Sequence, residues 1–474
     1  MSGNKSKYGF LSKNILLFSI SAFGQKILAF FLVPLYTNVL TTAQYGTVDL
    51  ITTTVSLLVP IFTVNIAEGV MRFTLGDKNS TGYLSYGIKV TLKGSLILLA
   101  CLLIFALTPF SAGIITELPW LFGIYLVTCI YNIQQSYLRA TDRVAVMAVG
   151  SLLNSVIMMA LNIVLLTWFK LGISGYFISM FAGLSAAVLY MEIRGNLRSK
   201  IRIKPSCPKN VRSESLKYCI PTIFTVLAWW INSSLDRYFV TAICGVNQNG
   251  IYSIAYKIPT ILGVFQNIFV QAWTLSAITE FDKNDKDGFF GKTYELYNSM
   301  MVLITSSIIF ANVLMSKILY AKDFFVAWHC VPLLLMSSLF SALSGYLGSI
   351  FSAAKDTKTC AVSTIISAAV NVVLNAVLIP LFGIMGAAYA TAVAYITAWL
   401  IRLIVSRKYI AMKISFARNT VTYILLSAQA VCAMTESHLY IVQAILVALI
   451  LLLNYKVYVT AFSQLMNQYV KRGK

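Results

Sequence analysis

Basic side chains lie inside several long apolar blocks of the sequence. Lys26, Lys93 and Lys257 fall within such blocks, and Arg72 follows Glu68 by four residues near the end of another. A lysine or arginine at the centre of a membrane-spanning helix costs about 2.5–3.5 kcal/mol on insertion scales, so it usually faces a cavity or a partner. Glu68 and Arg72 can pair on one helix surface. Lys26 and Lys257 have no carboxylate four residues away, and we expect them to bind an anionic group such as a pyrophosphate-linked headgroup.

A polar stripe marks the predicted seventh span. Trp229, Asn232 and Asp236 recur three or four residues apart, which places them on one face of a helix. Because a carboxylate there needs water or polar partners, we expect this face to border a water-filled cavity. Two other interpretations stay open: hydrogen bonding between helices, worth about 0.6 kcal/mol on average, and an interfacial position for Asp236 beside Arg237. Including Tyr256, whose ring is suited to stacking on a sugar, the candidate substrate-binding residues are Lys26, Lys257, Lys93, Arg72, Asn232, Asp236, Trp229 and Tyr256.

Signatures of catalysis and of metal binding do not occur in the sequence. The 8 cysteines are scattered singly, without a CxxC pair or a histidine at metal-binding spacing. The 2 histidines are too few for a metal site or a catalytic triad, and there is no Walker A sequence. We therefore expect no enzyme activity, no catalytic residue, no metal site and no cofactor.

The composition is that of a membrane protein. Of 474 residues, 58% are hydrophobic and 11% are charged, and the mean hydropathy is +0.78. Soluble globular proteins carry about 25% charged residues. The apolar blocks match the roughly 20 residues that a helix needs to cross a bilayer. The chain is therefore predicted to be an all-α polytopic membrane protein.

The apolar blocks predict fourteen spans, or twelve if the last two do not insert. They group into two six-helix lobes and an extra C-terminal pair. The predicted boundaries are 1–193 for the N-terminal lobe, 194–216 for a basic cytoplasmic linker, 217–406 for the second lobe, and 407–474 for the additional pair and tail.

The positive charge is distributed unevenly across the predicted membrane. Of the 37 Lys and Arg residues, only Lys170, Lys317 and Lys322 fall in external loops. Cytoplasmic loops collect basic residues, so both termini are predicted to be cytoplasmic. This bias explains the net charge of +21, and we expect no nucleic-acid partner.

The two predicted lobes share short motifs. Val39–Leu50 follows the first span and Ile243–Ile254 follows the seventh, and Leu161-Asn162 with Gly172–Gly175 is matched by Leu374-Asn375 with Gly383–Gly386. Six spans return the chain to the same side, so the halves are predicted to be parallel repeats with a substrate cavity between them near the midplane. This organisation is typical of a transporter.

The order of these features resembles the polysaccharide flippase family, the Wzx-type O-antigen and repeat-unit transporters. This family belongs to the multidrug/oligosaccharidyl-lipid/polysaccharide exporter superfamily, which also includes drug extruders and the lipid II flippase. The resemblance lies in Leu35–Gly46, in Gly250–Pro259, and in Leu374-Asn375 with Gly383–Ala388.

The resemblance implies a multi-pass protein of the bacterial inner membrane with two lobes and alternating access. It implies that the substrate is an undecaprenyl-pyrophosphate-linked oligosaccharide, moved to the outer leaflet for O-antigen, lipopolysaccharide, capsule or exopolysaccharide synthesis. It further implies membrane lipids as partners, H+ or Na+ as coupling ion, and a polysaccharide polymerase and chain-length regulator in the same pathway. Flippases of this kind have a cationic lumen, and Lys26 and Lys257 occupy comparable places.

Other functions predict different sequence features. A drug or cation antiporter predicts an acidic cavity, whereas the deep acids here are few: Asp49, Glu68 and Asp236. A membrane polysaccharide polymerase predicts a long external loop with catalytic residues, and the predicted external loops are short. A scaffolding membrane protein does not account for the repeat or for the buried cations.

Overall fold

A computed structural model describes residues 24–75, 80–109, 113–200, 209–354, 356–435, 437 and 439–472. These residues form helices and connecting turns, with no β-strand among them. The chain divides into two compact units, Met1–Trp230 and Ile231–Lys474. Within the predicted linker, residues 201–208 lie outside the described part, and the lobe boundaries inferred from sequence stay a prediction.

The first unit begins with helical residues 24–31. Its further helices are α1 (Val33–Val39), α2 (Thr42–Phe62), α3 (Ile66–Thr74), α4 (Ser80–Ala106), α5 (Leu118–Ala140), α6 (Val144–Ile163), α7 (Gly172–Gly195) and most of α8 (Lys209–Ser234). Thr41 and Gln44 start α2 with reciprocal side-chain caps, at 3.2 and 3.0 Å, which satisfies amide groups that a helix N-terminus leaves unpaired. Tyr125 and Phe177 lie in the core between α2, α5 and α7.

The second unit contains the remaining helices. They are α9 (Asp236–Cys244), α10 (Val246–Ala255), α11 (Thr260–Thr279), α12 (Phe289–Leu319), α13 (Val331–Ala353), α14 (Thr357–Phe382), α15 (Ile384–Ser406), α16 (Phe416–Met434) and α17 (Tyr440–Arg472). Arg402 of α15 is only 4% exposed. Its guanidinium donates to Ser344 O of α13 and to Ser363 Oγ and Thr364 Oγ1 of α14, each at 2.9 Å. This arginine therefore ties three helices together through neutral acceptors.

Nine helices in the described residues are long and apolar enough to cross a membrane, or ten if α10 and α11 are one bent span. Three further helices, α5, α8 and α16, have 23, 26 and 19 residues. The first predicted span lies partly outside the described residues. The prediction of an all-α polytopic membrane protein is confirmed.

Three predicted spans are interrupted where sequence patterning indicates continuous helix. The second breaks between α2 and α3, where Val64 and Asn65 have φ of 54° and 50° after Pro60 within α2. The seventh breaks at Leu235 between α8 and α9. The eighth bends by 49° between α10 and α11, because Pro259 has no amide hydrogen to continue the helix.

Matching glycines close two helical hairpins, one in each unit. Gly172 starts α7 with φ of 54°, and Gly383 precedes α15 with φ of 57°, a region that favours glycine. Three residues later, a Cβ on Gly175 would lie 3.2 Å from Leu171 Cβ, and one on Gly386 would lie 2.1 Å from Leu378 O. The repeated motif in the sequence thus corresponds to a repeated turn with a close approach after it.

We expect Gly386→Ala to destabilise the protein by about 1–3 kcal/mol or more, because the added methyl group collides with the backbone of α14. The measurement is the Tm of the purified protein in detergent. Gly113→Ala is the matched control, since a Cβ there meets nothing within 4 Å. Equal Tm values for the two variants would contradict the close approach of α14 and α15.

An aspartate caps α14 outside the membrane-spanning segment. Asp356 accepts from Thr359 N at 3.2 Å and from the Tyr409 hydroxyl at 2.5 Å. Hydrogen bonds from Thr359 and Tyr409 hold the pKa of Asp356 below its ordinary value, because they favour the ionised carboxylate. Donation to this carboxylate raises the pKa of Tyr409.

We expect Asp356 to make stability depend on pH. Its pKa is lower in the folded state, so its contribution is present above the unfolded value of about 3.9 and is lost as the pH falls through the folded value. Asp356→Asn should therefore lose less stability than the wild type between pH 6 and pH 3. Denaturation midpoints across this range measure the difference, with the exposed Asp287→Asn as control. Identical pH dependence in Asp356→Asn and the wild type would refute the assignment.

Candidate functional site

The second unit contains a buried carboxylate among hydroxyl groups. Asp236 is 1% exposed. Its Oδ2 accepts hydrogen bonds from Tyr252 Oη at 2.6 Å, Tyr256 Oη at 2.9 Å and Thr391 Oγ1 at 3.3 Å. A carboxylate can be buried only with such donors, because removing an unpaired charge from water is costly.

The break between α8 and α9 positions this carboxylate. Asp236 is the first residue of α9, and the amide of Arg237 donates to its Oδ1 at 3.0 Å. A carboxylate is favoured at a helix N-terminus, where backbone N–H groups are unpaired and the helix dipole is positive. Tyr252 lies in the last turn of α10 and Tyr256 directly follows it, so their hydroxyls reach Asp236 from a second helix.

A single arginine lies beside the carboxylate. Arg237 Nη1 is 3.9 Å from Asp236 Oδ1 and donates to Ser233 O at 2.7 Å. The guanidinium carbon is 4.9 Å from the centre of the Tyr256 ring, within the range of a cation–π contact. Asp236 and Arg237 are therefore not a simple interfacial pair, since the carboxylate itself is enclosed by protein.

A row of amide side chains continues from this carboxylate. Asn371 of α14 donates to Thr391 Oγ1 at 3.5 Å, and Asn375 Nδ2 donates to Asn371 Oδ1 at 2.9 Å. The Oδ1 atom of Asn375 is buried without a hydrogen-bond partner among the described residues. Asp236, Thr391, Asn371 and Asn375 thus form a continuous oxygen-rich cluster, which we call the Asp236 cluster.

The polar stripe at the end of α8 meets the same helix, α14. Asn232 is buried, donates to Thr364 O at 3.3 Å and accepts from Ser367 Oγ at 3.3 Å. Ser367 also bonds to Ala394 O of α15 at 2.7 Å. Asn232 therefore takes part in hydrogen bonding between helices, which was the alternative interpretation of the stripe.

Sequence patterning identified part of this arrangement. Among the predicted candidates, Asp236 and Tyr256 are brought into direct contact. Thr391 was missed as a partner of Asp236, since a threonine in an alanine-rich helix has no pattern that distinguishes it from packing residues. The spacing of Asn371 and Asn375, one helical turn apart, was the available signal for the rest of the cluster.

Lys257 lies at the bend between α10 and α11. Its side chain is half-buried, and its amide donates to Ile254 O at 2.9 Å. Because Tyr256 and Lys257 are adjacent, the break that directs the Tyr256 hydroxyl to Asp236 also sets the position of this cation.

The other four candidates belong to the first unit and do not form a cluster in it. Lys26 is half-buried, whereas Lys93 and Arg72 are exposed. No ion pair within 4.0 Å joins Arg72 to Glu68, which is also exposed. Trp229 of α8 is 44% exposed. Their assignment to a substrate site stays a prediction.

The chemistry available at the Asp236 cluster is cation or proton binding. Its ligand atoms are carboxylate, hydroxyl and amide oxygens, the donors that hard cations prefer. Within the described ranges, no three His, Cys, Asp or Glu side chains lie close enough to hold a metal ion. The cluster therefore offers one carboxylate, with neutral oxygens at its Oδ2 side and Arg237 3.9 Å from its Oδ1.

Comparison with known proteins places the chain in a family. Residues 11–275, more than half of the chain, match the family described as polysaccharide biosynthesis protein. The chain is also similar to the probable low-salt glycan biosynthesis flippase Agl15 of Haloferax volcanii. The two are 24% identical over 340 residues, which covers 67% of this chain and 68% of the relative.

Solved structures share the fold. The lipid II flippase MurJ, in an inward closed conformation, matches with a TM-score of 0.66 and 17% identity over 94% of this chain and 99% of MurJ. An inward-facing multidrug resistance MATE transporter of the MOP superfamily matches with a TM-score of 0.68 and 12% identity, covering 84% and 96%. A MOP superfamily transporter from Pyrococcus furiosus matches with a TM-score of 0.60 and 11% identity, covering 90% and 97%.

These likenesses confirm, at the level of family and fold, the resemblance carried by the sequence motifs. Because the sequence identities are 17% or lower, the solved structures establish the fold of this chain and not its substrate. The protein is a multi-pass membrane protein with the MurJ and MATE fold, and it belongs to the polysaccharide biosynthesis protein family.

Proposed function

We propose that the protein is a flippase that moves undecaprenyl-pyrophosphate-linked oligosaccharide repeat units across a bacterial inner membrane by alternating access. It acts as a transporter and not as an enzyme, with both termini in the cytoplasm, and supplies O-antigen, capsule or exopolysaccharide synthesis. Membership of the polysaccharide biosynthesis protein family supports this. The names of two similar proteins, a probable glycan biosynthesis flippase and the lipid II flippase, agree with it.

The observation that carries the proposal is Lys257 at the 49° break of an apolar span. A lysine within a membrane-spanning segment usually faces a cavity or a polar group, so Lys257 marks a place that an anionic group can approach. The pyrophosphate of the lipid carrier provides that charge. Tyr256, next to Lys257, offers an aromatic face of the kind on which sugar rings stack.

The coupling ion, H+ or Na+, acts in this proposal at the Asp236 cluster. Asp236 is the carboxylate there, and its Oδ2 already accepts from three hydroxyl groups. Binding of a cation would compete with the hydroxyl groups of Tyr252 and Tyr256 for the same carboxylate oxygen. Since both tyrosines lie beside the α10–α11 bend, the ion would alter the segment that positions Lys257.

A multidrug antiporter is the second candidate, favoured by the TM-score of 0.68 to a MATE transporter. A cationic drug would need a carboxylate free to receive it. The oxygens of Asp236 are instead occupied by three hydroxyl groups and the Arg237 amide. This arrangement suits a small ion better than a drug molecule.

The experiment is deletion of the gene in its host, followed by analysis of lipid-linked oligosaccharides and of surface polysaccharide. We expect loss of the surface polymer and single repeat units trapped on the inner leaflet. Single units that reach the outer leaflet without polymerising would instead indicate the polymerase. Unchanged polysaccharide, in a host without a second flippase, would favour the antiporter.

We expect Lys26→Ala and Lys257→Ala each to abolish rescue of the deletion strain, because each removes a cation that would bind the pyrophosphate. Membrane expression should be unchanged, since Lys26 and Lys257 are half-buried and not fully enclosed by the protein. The matched control is Lys358→Ala, because Lys358 is exposed and lies outside the predicted site. Wild-type polysaccharide from both variants would rule out the cationic site.

We expect Asp236→Asn to remove the dependence of transport on an ion gradient, since asparagine preserves shape but carries no charge. The measurement is flipping of a fluorescent lipid-linked oligosaccharide in proteoliposomes, with an imposed Na+ or pH gradient. The gradient should accelerate the wild type and the control Asp323→Asn at least ten-fold, but not Asp236→Asn. Normal gradient dependence in Asp236→Asn would place the coupling ion elsewhere.

A further inference from the structure

A cavity of about 260 Å³ opens between α12, α16 and α17 of the second unit. Basic side chains dominate its lining: Lys292, Lys413, Arg418 and Lys456, with Glu295, Leu296, Val457 and Thr460. It is separate from the Asp236 cluster, with which it shares no residue. We call it the basic pocket.

The one acidic group of the basic pocket is already neutralised. Glu295 pairs with the Arg418 guanidinium, and it accepts from the Ser415 amide at 2.5 Å and from Asn419 Nδ2 at 3.3 Å. These contacts hold the start of α16 against α12. The guanidinium of Arg418 is thus committed to this pair and lines the pocket beside the lysines.

Three lysines remain without a carboxylate. Lys292 donates to Asp287 O at 3.0 Å, and no carboxylate of the described residues lies within 4.0 Å of Lys292, Lys413 or Lys456. All three lysines are exposed, so their ammonium groups are accessible to an anion, and like charges around one cavity favour its binding. The charge of the pocket therefore indicates an anionic ligand.

The pocket lies at one boundary of the membrane. Lys292 is in the first turn of α12, Lys413 precedes α16, and Lys456 is in the last turns of the candidate span Tyr440–Thr460. The positive-inside count assigns this boundary to the cytoplasm. This position also accounts for Lys456, a cation inside an apolar block that the candidate site did not include.

We propose that the basic pocket binds the phosphate headgroup of an anionic phospholipid from the cytoplasmic leaflet. Basic pockets between helices on this side of a membrane bind such headgroups. The lysines supply the charge, and Leu296 and Val457 of the same lining offer apolar contacts for the acyl chains. The lipid would link α17 to α12 and α16. This assignment does not depend on the proposed transport function.

The test is native mass spectrometry of the purified full-length protein, titrated with phosphatidylglycerol and, separately, with phosphatidylcholine of the same acyl chains. The variant is Lys413→Ala with Lys456→Ala, which keeps the Glu295–Arg418 pair intact. The matched control is Lys358→Ala with Lys408→Ala, two exposed lysines of the same unit that do not line the pocket. Both double variants lose two positive charges.

We expect one phosphatidylglycerol to bind the wild type and the control pair with equal affinity, and at least ten-fold more tightly than phosphatidylcholine. The Lys413→Ala/Lys456→Ala protein should bind it about thirty-fold more weakly, near five-fold for each lysine. Lys413→Arg with Lys456→Arg should restore binding, and a normal Tm in the alanine variant would exclude misfolding as the cause.

Three results would overturn the proposal. The first is phosphatidylglycerol binding that is unaffected by the alanine pair. The second is equal loss of binding in the control pair, which reflects net charge alone. The third concerns the source of the phosphate: binding of undecaprenyl diphosphate or inorganic phosphate, but not of phosphatidylglycerol, would assign the pocket to a different ligand.

Discussion

The structure of the second unit depends on the burial of one carboxylate. Asp236 is enclosed by protein and accepts from two tyrosines, a threonine and its neighbouring amide. Burying that charge requires all of these donors at once. Helix α8 must end where α9 begins, α10 must bring its last turn to the carboxylate, and α15 must present Thr391. The breaks in the seventh and eighth predicted spans, the latter at Pro259, are where these donors and the carboxylate meet.

A buried cation needs hydrogen-bond partners just as a buried carboxylate does, and Arg402 finds neutral ones. Arg402 binds two hydroxyls and two carbonyls from α13 and α14 rather than an acid. The acceptors that Arg402 uses between α13, α14 and α15 are therefore neutral groups, which do not bind an ion in competition with the arginine. Asp236, in contrast, is a buried acid, and its hydrogen bonds from Tyr252 and Tyr256 connect it to the α10–α11 bend.

The basic pocket and the Asp236 cluster are two separate polar sites of opposite charge in the second unit. At the Asp236 cluster, hydroxyl groups meet one oxygen of a carboxylate that also has Arg237 beside it; oxygen ligands of this kind are those that hard cations prefer. In the basic pocket, three uncompensated lysines surround a cavity, which suits a phosphate. Lys257 differs from both sites, since it is a half-buried cation at the α10–α11 bend. In this protein, the fold that is shared with MurJ and MATE proteins thus contains an acidic site, the Asp236 cluster, and a basic site, the basic pocket.

The sequence by itself determined the membrane class, the helical content, the family and the repeated Gly172 and Gly383 turns, because apolar block length and glycine at positive φ are local properties. It also indicated Asp236 and Tyr256 as site residues. Only the tertiary structure decided that Asp236 is enclosed, that Thr391 is its partner, and that Lys456 joins Lys292 and Lys413. Those contacts join residues far apart in the chain, and one-dimensional patterning specifies which face of a helix is polar but not which helix that face meets.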